Sequence, residues 1–274
     1  MPDITTLVTL AVILMGIGAF AGVLAGLLGV GGGIVLVPAF LYTFSALGYD
    51  GPQLMQICLA TSLATIIVTS IRSVLSHNRK GAVDWGILKT WAPGIMVGAL
   101  VGVLVASNLR STVLQGIFGV LGMCIALYLA FGRQSWKIAE QMPGRAVSAP
   151  VSAVIGFLSV LMGIGGGSFA VPTMTLYGQP IHRAVATAAG FGLCIALPSA
   201  IAFFFVSIPT EAKPPLTLGA VNIPAFLIVI AMTMITAPLG AKLAHKMNPK
   251  PLKRVFALFL MVVAGRMLLR TLGV

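Results

Sequence analysis

The chain has 274 residues, of which 58% are hydrophobic and 8% are charged. Soluble domains carry about 25% charged residues, so a water-facing surface cannot be built here, and a soluble enzyme, a nucleic-acid binder and a disordered chain are excluded. The charges are lopsided, 17 Lys and Arg against 5 Asp and Glu, which in a membrane protein reflects basic residues collecting in cytoplasmic loops.

A helix needs about 20 apolar residues to cross a bilayer. Residues Met1 to Thr6 carry Asp3 and no basic residue, so no cleavable leader is expected. The run 7–28 has spanning length and leads into Gly29-Val30-Gly31-Gly32-Gly33. A shorter run, 34–48, follows and contains Pro38. Spans are predicted at 53–75, 87–106 and 112–131. A hydrophilic break at 132–145 then holds Arg133, Lys137, Glu140 and Arg145. The short run 146–162 leads into Gly163-Ile164-Gly165-Gly166-Gly167 and the run 168–177, which contains Pro172. Three more spans are predicted at 182–207, 220–241 and 252–271.

The order of features repeats. The two GxGGG…VP segments lie 134 residues apart, Ala60-Thr61-Ser62 matches Ala186-Thr187-Ala188 at 126, and Gly81-Ala82-Val83-Asp84 matches Gly219-Ala220-Val221-Asn222 at 138. An internal duplication is expected, with a first repeat at 1–132, a cytoplasmic linker at 133–145 and a second repeat at 146–274. If each GxGGG region is the tip of a hairpin, each repeat is a hairpin (7–48 or 146–177) plus three full spans, and the repeats are inverted. The basic residues then divide 13 to 4, with only Arg110, Lys213, Arg266 and Arg270 on the poorer side. If each region crosses once, they divide 10 to 7. The positive-inside bias favours the first arrangement. The predicted fold is an all-α polytopic membrane protein of two inverted repeats, with both termini outside.

Triple glycine inside an apolar stretch breaks a helix, and Pro38 and Pro172 cannot continue a regular ladder. Irregular backbone at membrane depth needs cover from protein or a cavity. The first amides of the helices after each break are therefore candidates to bind an anion. The candidate residues are Gly31, Gly32 and Gly33, then Gly165, Gly166, Gly167 and Ser168. Thr61, Ser62 and Thr187 on the following spans could add hydroxyl donors, or could bond their own preceding turn. Gly94, Gly98 and Gly102, spaced by four, read as a helix-packing face. No Asp or Glu lies inside a spanning run, so a proton relay and a cation site are unsupported. No cofactor or metal is expected. Cys58, Cys124 and Cys194 have no ligand spacing. His77, His182 and His245 map near inner helix ends, and Arg266 reads as snorkelling to the outer interface.

The stretches "GLLGVGGGIVLVPAF" (26–40) and "LMGIGGGSFAVPTM" (161–174), with "ATSLA" (60–64) and "RAVATAAG" (183–190), resemble the sulfite exporter TauE/SafE family of membrane permeases. The resemblance implies export of a small sulfur-containing anion, such as sulfite or sulfoacetate, across the cytoplasmic membrane. Ala188 departs from the family's more usual serine, which puts symmetric use of Ser62 in doubt. The expected partners are a small anionic substrate and the lipid bilayer, with no nucleic acid. An importer of similar anions, a membrane-embedded enzyme and a non-transporting membrane subunit are the alternatives. An enzyme would need a base or metal ligand in the spans, and none is found.

Overall fold

The structure is a computed structural model that describes residues 4–28, 32–132, 136–246 and 249–273. The described residues are almost entirely helical. In chain order the helices are α1 (Ile4–Leu28), α2 (Gly33–Ala46), α3 (Leu54–Asn78), α4 (Trp85–Asn108), α5 (Ser111–Phe131), α6 (Arg145–Leu161), α7 (Gly167–Leu176), α8 (Ile181–Phe204), α9 (Ile223–Lys246) and α10 (Pro249–Thr271). Helices α3, α4, α5, α8 and the Ile223–Gly240 part of α9 are long and apolar enough to cross a membrane. With a rise of 1.5 Å per residue, the 10-residue α7 extends only about 15 Å. Large apolar side chains such as Val97, Leu104, Val120, Ile235 and Leu258 face outward, as a lipid-facing surface requires.

Two of the predicted spans are cut short in the second half of the chain. The span predicted from residue 220 begins as helix only at Ile223, because Thr217–Leu218 and Val221–Asn222 form a two-stranded antiparallel hairpin, β1 and β2. Gly219 at φ +56 makes its turn. The span predicted to residue 207 ends at Phe204. The prolines also behave differently: α2 runs through Pro38 and α7 through Pro172. Each is the sixth residue of its helix, so only one intrahelical bond is forgone. The breaks are made by the glycines alone.

The centre of the bundle is α3, with 83% of its spanning window buried, packed along α8. Around it, α1 lies along α9, α6 along α4, and α5 along α10. Thus α1 and α6, the helices that precede the two glycine breaks, each pack on a helix from the other half of the chain. Glycine makes this possible. A β-carbon on Gly22 would lie 2.8 Å from Thr233 Cα of α9, and one on Gly156 would run into the Ile95 carbonyl of α4. Gly156 stands 134 residues after Gly22, and Thr233 stands 138 after Ile95, so the same contact occurs twice. Gly94, Gly98 and Gly102 all face α6, at Ser152, Ala153 and Val160, which is the packing face their spacing predicts. Gly16 on α1 has open space around it. Gly16→Leu should therefore leave the thermal unfolding temperature in detergent unchanged, whereas Gly22→Leu should cost about 3 kcal/mol or prevent folding by overpacking.

Long-range bonds sort the loops onto two ends. Arg270 Nη2, at the end of α10, lies 2.8 Å from Asp50 Oδ1 in the loop between α2 and α3. The Ser111 amide, opening α5, donates to Pro52 O at 2.8 Å. At the opposite end of α3, Arg183 Nη2 of α8 lies 3.8 Å from Asp84 Oδ2, which precedes α4. The Ile138 amide of the linker donates to Leu176 O, the last residue of α7, at 2.8 Å.

Candidate functional site at the glycine breaks

The second break is built in two steps. Gly163 adopts a left-handed φ of +61, and its amide donates to Val160 O while the Ile164 amide donates to Ser159 O, both at 2.9 Å. This pair of bonds closes α6 in a Schellman motif, for which glycine is the preferred residue. Gly165 and Gly166 then turn the chain, and α7 starts at Gly167. In the first break Gly32 is left-handed at φ +76 and precedes α2 without a side-chain cap. Gly29, Val30 and Gly31 lie outside the described residues.

The two breaks meet. A β-carbon on Gly33 would collide with the Gly163 carbonyl oxygen and come within 2.9 Å of Ile164 Cα. A residue with no β-carbon at position 33 is what allows this approach of backbone to backbone. One on Gly163 would come within 2.7 Å of Val37 on α2 and 2.9 Å of Leu59 on α3. One on Gly166 would come within 2.8 Å of Phe191 Cβ on α8. Ser62 Oγ, fully buried on α3, donates to Gly163 O at 2.7 Å. The junction of the two glycine breaks is therefore clamped between α3 and α8.

The opening of α7 carries unspent donors. Its first amide with an acceptor among the described residues belongs to Ala170, bonded to Gly166 O at 2.8 Å. The amides of Gly167, Ser168 and Phe169 find none there. The Ser168 side chain is 7% exposed, and its buried hydroxyl has no partner among the described residues. Such groups are rare in native structures and cost about 1–3 kcal/mol each when left unmade. The partial positive charge of the helix start adds to the same few ångströms. In α2, Val35 is the first residue whose amide has an acceptor among the described residues, Gly32 O at 3.0 Å. Ser159 on α6 and Ser199 on α8 are further fully buried hydroxyls without a partner among the described residues. Both stand in apolar stretches of the sequence that give no cue to a buried hydroxyl without a partner.

Thr61 and Thr187 have other partners. Thr61 Oγ1 donates to Ile57 O at 2.7 Å and accepts the Asn222 amide at 3.0 Å. Thr187 Oγ1 accepts the Asp84 amide at 2.9 Å. Asp84 and Asn222 in turn cap α4 and α9, accepting the Ile87 and Ala225 amides at 3.1 Å. The two threonines thus hold matching helix starts, residues that the offset of 138 had already paired. Thr61→Val should cost about 1–2 kcal/mol, because it leaves the buried Asn222 amide unpaired. Thermal unfolding in detergent checks this; an unchanged midpoint would show that the bond is dispensable. Ala188, where the repeat pattern has Ser62, is buried and brings no hydroxyl. No cluster of metal-ligating side chains occurs among the described residues.

A family model described as Sulfite exporter TauE/SafE matches residues 14–267. A probable membrane transporter protein of Haemophilus influenzae is 34% identical over 259 residues, 93% of this chain and 96% of that one. Proteins with the same description from Bacillus subtilis (30% identical, 94% and 97% covered) and Methanocaldococcus jannaschii (28%, 92% and 93%) are also similar. No solved structure matches.

Proposed function

Because the chain belongs to the sulfite exporter TauE/SafE family, we propose that this multi-pass membrane transporter exports a small sulfur-containing anion from the cytoplasm. Sulfite, sulfoacetate and related organosulfonates are the substrates in view. The observation that carries this reading is the start of α7, where three amides and the buried Ser168 hydroxyl lack acceptors among the described residues. Donors without acceptors call for an oxyanion. The remainder of the bundle agrees with negative charge: none of the ten described α-helices contains an Asp or Glu.

Alternating access between inverted halves is the mechanism we infer, in the cytoplasmic membrane with both termini outside. Crossing each glycine segment once would put Asp50 and Arg270 on opposite faces, yet they lie 2.8 Å apart. Hairpins that enter from opposite faces, with tips meeting at Gly33 and Gly163, account for that ion pair. Each hairpin rests on the opposite half, α1 on α9 and α6 on α4, so movement of one half carries the other's tip. The junction is buried in this conformation, with Ile34 at 1% and Ile66 at 0% exposure, which fits an occluded state. Basic residues gathered on the inner face raise the local anion concentration.

Anion-dependent thermal stabilisation of the purified protein tests the substrate class. A true substrate at a hundred times its Kd should add about 2.7 kcal/mol. Sulfite and organosulfonates are expected to stabilise, and matched sodium or choline salts of non-substrate anions are not. Equal stabilisation by every salt would remove the support for a sulfur oxyanion.

A further inference from the structure

A second feature bears positive charge away from the hairpin junction. At the end of α10, Tyr42, Arg266, Leu269 and Arg270 line an open cleft of about 370 Å³. Pockets that bind small ligands begin near this size. Arg270 is fixed in place: its Nη2 donates to Ser45 Oγ and to Asp50 Oδ1, both at 2.8 Å. Ser45 Oγ itself donates to Asp50 Oδ1 at 2.7 Å. Arg266 is held differently. Its guanidinium lies over the Tyr42 ring, 5.8 Å from the centroid, the geometry of a cation–π contact. It has no carboxylate within salt-bridge distance among the described residues.

The charges do not cancel. Two guanidiniums face one carboxylate, which leaves the cleft with one net positive charge. An aromatic ring orients a cation without neutralising it, so the N–H donors of Arg266 stay available. Two arginines one helical turn apart present their planar forks to one space, and such forks match oxyanions. If Arg266 merely snorkelled into water, it would not need the ring, the neighbouring clamp or the cleft.

We propose that this cleft is a second anion site, which takes one pyramidal or tetrahedral sulfur or phosphorus oxyanion carrying a single charge. The site is independent of the one at α7, since the two share no residue. Its occupant is either a free solute leaving or approaching the protein, or the phosphate of an anionic lipid headgroup. Arg266 supplies the unpaired charge, Arg270 the pre-positioned donors, and Tyr42 and Leu269 the apolar wall beside them.

Equilibrium binding of radiolabelled sulfite to the full-length protein tests this. It is measured in detergent and in nanodiscs of phosphatidylcholine with and without phosphatidylglycerol. Two classes of site are expected in detergent. Arg266→Gln should weaken one about tenfold, as loss of a charge-assisted bond does, and leave the other intact. Ser168→Ala should do the reverse. Tyr42→Leu keeps every charge but releases Arg266, so it should weaken the same class as Arg266→Gln by a smaller factor. If phosphatidylglycerol displaces sulfite from that class, the resident anion is a headgroup; if it does not, the anion is a solute. Either result supports the cleft as an oxyanion site. Sulfite and phosphatidylglycerol binding that is identical in wild type and Arg266→Gln would overturn it. Sulfite binding that is unchanged in Ser168→Ala while one class still depends on Arg266 would count against the reading of the α7 site and not against this one.

Discussion

Ser168→Ala should weaken anion binding by about ten- to a hundredfold and slow export correspondingly. The same change should leave the ligand-free protein at least as stable as the wild type. Both effects come from one atom. The Ser168 hydroxyl is buried and has no partner among the described residues, so in the empty protein it is a desolvated donor with nothing to bond. Its removal relieves a cost of about 1–3 kcal/mol. When an oxyanion is bound, the same hydroxyl makes a charge-assisted bond worth about 1.5–3 kcal/mol. Stability and function should therefore move in opposite directions, as is expected of groups held for function. Ser62→Ala is the contrast. That hydroxyl already bonds Gly163 O at 2.7 Å, so its loss should destabilise the protein by about 1 kcal/mol. Thermal unfolding with and without sulfite, measured on both variants, separates the two roles. A stability loss in Ser168→Ala equal to that in Ser62→Ala would mean that Ser168 is structural.

Gly33→Ala should abolish transport while the chain still inserts in the membrane. The added methyl group collides with the Gly163 carbonyl oxygen and with Ile164 Cα at 2.9 Å. Neither is a flexible side chain that can swing aside, so one glycine break must withdraw from the other. Overpacking of this kind costs about 1–3 kcal/mol, and more where backbone must move. Gly163→Ala should be as severe, since it adds a left-handed φ of +61 to a 2.7 Å contact with Val37. Gly32→Ala should be milder. Its φ is +76, but the nearest atom to a new methyl is Ala21 O at 3.2 Å. The expected order of flux loss is therefore Gly33 and Gly163 first, Gly32 after them. Size-exclusion profiles of the purified variants show whether each still folds. Wild-type flux in Gly33→Ala would mean that the tips need not touch.

Much of this could be read in the sequence. Apolar runs of spanning length, interrupted by glycine, leave little freedom in an environment where every backbone group must be satisfied. Helices α3, α4 and α5 accordingly lie within a few residues of the runs that predicted them. The offset of 138 paired Asp84 with Asn222, and the structure shows both capping a helix whose preceding amide is held by a threonine. What the offset could not supply was the partner. Thr61 is bound to Asn222, 161 residues away, and Thr187 to Asp84, 103 residues away. Such contacts depend on how the helices cross, which apolar periodicity does not encode. The β1–β2 hairpin was hidden for a different reason. Val221 and Ala220 are as apolar as the helix they precede, so composition extended the span through them. Arg266 and Arg270 were visible as two basic residues one turn apart, but Tyr42 and Asp50 lie more than 200 residues earlier, and only the fold brings them into one cleft.

Efflux of sulfite from proteoliposomes, at a potassium-diffusion potential set by valinomycin, is the most direct measurement of the central claim. A monoanion crossing a potential of 100 mV gains about 2.3 kcal/mol, so an uncoupled anion exporter should respond steeply to that potential. Efflux is expected to accelerate when the compartment holding the anion is made negative, and to be lost in Gly33→Ala. A flux that ignores the potential and follows an imposed pH gradient would contradict export driven by the anion's own charge.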